Sequence, residues 1–175
     1  MQAIFTEGHL KGFAGVLQAD AYASYNALYD PKRNHGPVGD ALCGNHRRRK
    51  FVVLANIAAS ARRGKGTTPI SPLALEAVTR IDRLLEIDRA ITGRSADERL
   101  AVRTELSAPL VADLETCMRA ERARLSRHHD VAKAIDYMLK RWDGFTRFLR
   151  DGRVCLINHG QGWGGAIGRC CWRIR

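Results

Sequence analysis

Acidic residues are the scarce class in this sequence, 18 Asp and Glu against 29 Lys and Arg, and none follows Asp151. The formal charge is +11 and the pI is near 10. That balance fits a polyanionic partner, nucleic acid first and an anionic membrane surface second. No stretch is apolar for long enough to cross a bilayer. Met1 to His9 lacks the basic start and apolar run of a signal peptide. Together these absences predict a cytoplasmic protein with no membrane partner. Cysteines are few and odd in number, five at scattered spacings, which argues against a disulfide framework. There is no glycine-rich phosphate loop and no serine or cysteine nucleophile motif with a matched base, so neither chemistry is expected.

Hydrophobic residues at 45% suffice for a packed core in a chain of 175 residues, the size of one ordinary domain. Residues 12–20 read as a short buried strand ending in Asp20, although two glycines weaken it. Residues 30–40 hold Pro31, Gly36, Pro37 and Gly39 and read as a loop. A helix is expected over 41–63, then a linker over 64–70. Ser71-Pro72 opens the next helix as an N-cap with proline at the first helical position. It places Val78, Ile81, Leu85 and Ile91 near one face, with Glu76 and Arg80 as a surface pair. Ser95 to Glu98 is a capping-box pattern. The following helix carries Leu106, Leu110, Leu114 and Met118, and Pro109 is expected to kink or split it. A last helix is predicted from Asp130 to Leu149, ending at Gly152. These stripes read as core. Residues 152–175 contain six glycines, three cysteines, two tryptophans and four arginines and show no periodicity.

Three places could carry chemistry. Asp20, at a strand end facing a polar loop, is a position from which a carboxylate can ligate a divalent ion. On spacing alone a turn or cap residue is the simpler reading, because two-metal phosphoryl transfer needs several converging carboxylates. Cys43 and His46 have Cys-x-x-His spacing, but no second ligand pair stands at a matching distance, and a buried cysteine beside a polar histidine is the simpler reading. Arg47, Arg48, Arg49 and Lys50 spread around a helix, so some could contact phosphates while others face solvent.

Several segments in order resemble transposases of the insertion-sequence-66 family. Gly12 to Tyr25 is similar to the family's Gln-x-Asp-x-Tyr-x-x-Tyr segment. Cys43-Gly-Asn-His-Arg-Arg-Arg-Lys-Phe51 resembles its Cys-Trp-Ala-His-x-Arg-Arg-Lys-Phe motif, with Gly44 and Asn45 in place of Trp and Ala. Ser71 to Ala77, Ser107 to Val111, Leu125-Ser126, Ala132 to Trp142 and Phe148 to Leu156 continue the likeness. The resemblance covers about residues 9–158. It implies a ribonuclease H-like core with a helical insertion, and Mg²⁺-dependent cutting and joining of DNA ends by an Asp-Asp-Glu triad. Asp20 matches the second aspartate and so a metal ligand; the strand of the first is expected upstream. The glutamate belongs to an Asn-Asn-x-x-Glu-Arg segment. Here Asn158 matches, His159 replaces the second asparagine, Gly162 stands at the glutamate position and Trp163 replaces the arginine.

The resulting expectation is an α/β chain by descent: a partial ribonuclease H-like core with a large α-helical insertion, mainly α in this fragment. Residues 1–40 are the core remnant, 41–151 the helical insertion region and 152–175 a diverged basic tail. The tail's abrupt loss of pattern suggests a frameshifted or decayed reading frame. The expected role is a transposase fragment, truncated at its start and inactive alone. Its expected partners are the element's terminal inverted repeats and other transposase subunits. The alternatives are a non-catalytic DNA-binding or regulatory remnant and a helical interaction protein.

Overall fold

The computed structural model describes residues 12–18, 27–34, 36, 38–55 and 71–156, and the backbone of 171–173. The chain is mainly helical. Three short parallel strands, β1 (Gly15–Gln18), β2 (Val38–Ala41) and β3 (Cys171–Arg173), lie in the order β2-β1-β3. Successive side chains of a strand point to opposite faces, and β1 is covered on both. Val16 enters the large helical core, whereas Leu17 packs in a smaller cluster with Leu28 and Val38. Gly15 sits at φ 142°, a conformation closed to most L side chains, which accounts for glycine at the strand start.

Strand β2 occupies the end of a stretch that the sequence marks as loop. Its residues, Val-Gly-Asp-Ala, have poor strand propensity. Parallel pairing of Gly15 with Val38 through Gln18 with Ala41 decides the matter, because strand formation depends on neighbours more than on intrinsic preference. The helix expected over 41–63 accordingly starts later, as α1 (Gly44–Ala55); its expected last part and the 64–70 linker lie outside the described residues.

Helix α2 (Pro72–Ala90) begins as predicted. The Ser71 side chain accepts a hydrogen bond from the Ala74 amide at 3.3 Å, and Pro72 takes the first turn. Val78, Ile81 and Leu85 are buried, as is Ile91 at its C-cap. Arg80 bonds Glu76 one turn earlier at 2.8 Å.

The stretch from Ser95 to Arg124 is helical throughout but changes type. Ser95 and Glu98 form the predicted reciprocal capping box at the start of α3 (Ala96–Val102). Residues Arg103–Ser107 then form a π-helical turn, and α4 (Ala108–Arg124) follows. The cause is Pro109. It lacks an N–H and its ring collides with the carbonyl four residues back, so an α-helix cannot pass through unchanged. The π turn admits one extra residue, and the Ala108 amide bonds Arg103 O. That insertion rotates the faces on either side. Leu114 and Met118 are buried, but Leu106, one turn before Leu110 in the expected stripe, is left 48% exposed.

The predicted 130–149 helix is broken. His129 caps α5 (Asp130–Leu139), its Nδ1 accepting from the Val131 amide. A bend at Lys140 and Arg141 leads into α6 (Trp142–Thr146) and a 3₁₀ turn (Arg147–Leu149). The bend lays Gly144 against β2. Leu42 N donates to Gly144 O at 3.0 Å, and a Cβ on Gly144 would come within 2.9 Å of the Asp40 carboxylate. One apolar cluster joins the pieces, running from Val16 through Phe51, Ile81, Leu114, Ile135 and Phe145 to Leu156.

Candidate functional site

Parallel strands open a crevice at their carboxyl ends, where ligands of α/β folds gather. Gln18 ends β1 there, and it is fully buried. A glutamine amide buried in an apolar strand is costly unless it is hydrogen-bonded, and the Gln18 Oε1 has no partner among the described residues. The Gln18 Nε2 donates to the carbonyl of Cys155, 137 residues further on.

Residues 154–156 form a strap whose backbone polar groups are taken by four separate elements. Arg103 Nη1, from the π turn, donates to Val154 O at 2.8 Å. Gln18 of β1 holds Cys155 O. Asp88 of α2 accepts from the Leu156 amide at 3.0 Å, and the Gly44 amide at the start of α1 donates to Leu156 O at 2.7 Å. Gly44 has to be small: a Cβ there would meet Leu156 at 3.0 Å. Arg103 is buried. Besides the strap it bonds Phe148 O at 3.1 Å, lies over the Phe148 ring at 5.4 Å, and pairs with the buried Asp88 carboxylate. The strap thus ties the helices to the sheet and holds Cys155 beside Gln18 at the end of β1.

Asp20, two residues beyond Gln18, lies outside the described residues, as do Asn158, His159, Gly162 and Trp163. Asp40 is a described sheet carboxylate, on β2 in register with Leu17. Its surroundings do not suit a cation. Arg141 Nη1 stands 3.8 Å from its Oδ2, and Arg147 Nε donates to its backbone carbonyl at 2.6 Å. Burial raises its carboxyl above the ordinary 3.8; Arg141, Arg47, a hydrogen bond with Tyr29 and Arg147 pull it back. A carboxyl with a raised folded pKa favours the fold in its protonated form, and that contribution is lost as pH rises through the folded value. Asp40→Asn is therefore expected to raise stability near neutral pH, with the gain shrinking towards pH 3.8. Urea denaturation at both ends of this range checks it; a gain that does not change with pH would remove burial of charge as the cause.

Cys43 is buried and His46 is exposed. Among the described residues no group of three or more His, Cys, Asp or Glu is placed to hold a metal ion. The described carboxylates therefore do not fit a Mg²⁺ pair.

The basic run on α1 is divided by its helix. Arg47 turns inward, 2% exposed, donating to Tyr137 O at 3.1 Å and lying 4.4 Å from the centroid of the Tyr137 ring. Arg48 makes a two-pronged pair with Asp82 of α2, the Nη2–Oδ2 bond being 2.7 Å. Arg49 and Lys50 are exposed, with Lys50 Nζ 5.0 Å from the Tyr137 ring. Four consecutive cations thus have three different environments, because successive residues of a helix point about 100° apart.

The residues that sequence reasoning missed are Gln18, Gly44, Asp88 and Arg103. Gln18 carried a signal, as a polar residue closing an apolar strand. Asp88 and Arg103 carried none. They lie in ordinary charged stretches, and only the fold brings them together.

No helix among the described residues is long and apolar enough to cross a membrane. No solved structure matches the chain. It is 51% identical over 152 residues to the uncharacterized protein y4hP of Sinorhizobium fredii, covering 86% of this chain and 28% of that protein. It is 35% identical over 150 residues to the uncharacterized protein y4jD of the same organism, covering 85% and 27% respectively. The chain thus spans about a quarter of the length of these relatives. Residues 2–159 match the family described as Transposase IS66 family. That stretch includes β1, the α1 run and the strap together, and the chain belongs to the IS66 family of transposases.

Proposed function

We propose that this chain is a portion of a DNA transposase core, with Asp20 at a metal-ligand position, that contacts DNA but does not cut it alone. The junction of Gln18 with Cys155 carries the reading. It joins the strand leading to Asp20 with the strap leading to Asn158 and Gly162, the stretch where the family resemblance places the glutamate. A short parallel sheet packed against helices is what a ribonuclease H-like remnant would retain. Mg²⁺, when bound by such a triad, stabilises the charge developing on the attacking and leaving oxygens. This chain's own part is to hold the two stretches together. Glycine at position 162, where the family resemblance places the glutamate, supports the reading that this chain does not cut DNA alone.

The substrate is DNA, the element's terminal inverted repeats, and the remaining transposase subunits are natural partners. Of the α1 run, Arg49 and Lys50 are best exposed for DNA contact; Arg47 and Arg48 support the fold beneath them. The same exposure favours a second reading, a non-catalytic DNA-binding remnant that competes with intact transposase. The test is incubation of the chain with terminal-repeat duplex and Mg²⁺, beside Asp20→Ala. No strand cleavage is expected from either. Cleavage that Asp20→Ala abolishes would overturn the inactivity. Duplex binding is expected to weaken steeply with salt, and absence of any binding would leave a helical interaction protein.

A further inference from the structure

Resting on that reading, we propose that the outer crest of α1, Arg49 and Lys50 beside Tyr137 of α5, is a sequence-neutral contact surface for the phosphate backbone of double-stranded DNA. The neighbours of the cations on α1 and α4 favour this surface over α4. The other long basic stretch lies along α4 and is neutralised in pairs: Arg119 with Glu115 at 2.7 Å, Arg122 with Asp136 at 2.7 Å, and Arg124 with Glu121 at 3.4 Å. Helix α1 has no acidic residue at all. Asp82 of α2 reaches it, and that carboxylate is engaged by Arg48 on a different side of the helix. Arg49 and Lys50 make no ion pair among the described residues, so their positive potential reaches solvent undiminished.

The crest is also held in place. Arg47, buried below it, donates to the Tyr137 carbonyl and lies against its ring, which anchors the tyrosine on α1. The ring, 36% exposed, then faces the Lys50 ammonium. A lysine resting on an aromatic face has less side-chain freedom to lose when it meets a phosphate. The surface is a convex helix side with two cations. Arg47 and Arg48, whose guanidinium forks could otherwise read a guanine edge, are committed within the protein. Phosphate contacts fix position without reading sequence, so the crest is expected to bind any duplex alike.

The experiment is fluorescence anisotropy of a labelled duplex of about two helical turns, titrated over a range of NaCl concentrations. Two double variants are compared, Arg49→Ala/Lys50→Ala and Arg119→Ala/Arg124→Ala. Both change exposed side chains, and circular dichroism confirms that each remains folded. The crest variant is expected to bind about tenfold more weakly near 0.1 M salt. Its log–log salt slope should become shallower by about two, since each phosphate that a cation neutralises adds about 0.9 to the slope. The α4 variant should stay within about twofold of the parent, and terminal-repeat and scrambled duplexes should bind equally. Duplex binding that the crest variant leaves unchanged would overturn this surface while the DNA reading stands. A tenfold preference for the terminal repeat would overturn its sequence neutrality. Failure of the parent to bind duplex at any salt, including capture only by phosphatidylserine vesicles, would overturn both.

Discussion

Arg103→Met is expected to cost about 3–5 kcal/mol of folding stability, the range for removing one partner of a buried ion pair. Arg103 and Asp88 are both withdrawn from water. Taking away the guanidinium leaves the Asp88 carboxylate buried with the Leu156 amide as its remaining described donor. It also strips the Val154 and Phe148 carbonyls of their Arg103 donor. The double variant Arg103→Met/Asp88→Asn should recover part of the loss, since a neutral amide can remain beside Leu156 without an uncompensated charge. Urea denaturation of the parent, both single variants and the double variant measures the coupling. A loss below about 1 kcal/mol in Arg103→Met would place this pair with solvent-screened ion pairs and refute its role as the anchor of the strap.

Gly152→Ala is the second large effect, and its cause is steric. A Cβ at this position would lie 1.9 Å from the Ala96 carbonyl oxygen and 2.6 Å from its carbon. Those atoms belong to the backbone of the first turn of α3 and cannot rotate aside as a side-chain tip could. The methyl group forces the strap or α3 to move, at a cost of about 3 kcal/mol, the upper part of the usual range for overpacking. Gly93→Ala is the natural comparison. Gly93 has φ +91° but open space around its Cβ position, so backbone conformation alone should cost about 1–2 kcal/mol. If thermal unfolding shows the two substitutions to be equal, close packing of Gly152 is not what excludes a side chain there.

These two expectations bear on function because Arg103 holds the strap and Gly152, two residues before the strap, packs against α3. With the strap loosened, Gln18 at the end of β1 and Cys155 lose their fixed relation. Catalytic groups of a phosphoryl-transfer site act only when their positions are set in advance. The strap rests on Gln18, Gly44, Asp88 and Arg103.

Local sequence determined where α2 and α3 start. Ser71-Pro72 and the Ser95–Glu98 box start α2 and α3 where their hydrogen-bonding chemistry says, because a cap is decided by residues three or four apart. Pro109 announced a disturbance, although its form, a π turn instead of a break, depended on how the flanking helices pack. The ordered motifs also pointed to the transposase family to which the chain belongs.

The tertiary structure alone decided the rest. Strand β2 exists because β1 lies beside it, against the preferences of Gly39 and Asp40. The predicted 130–149 helix breaks because Gly144 must lie on β2. The basic run reads as one patch along the chain, yet α5 and α2 engage Arg47 and Arg48 and leave Arg49 and Lys50 to solvent. The Asp88–Arg103 pair and the strap join residues 15 to 137 positions apart. The physical reason is common to all of these. Caps and helical stripes are short-range properties of the chain, whereas burial of a charge or pairing of an edge depends on neighbours that only the folded chain supplies.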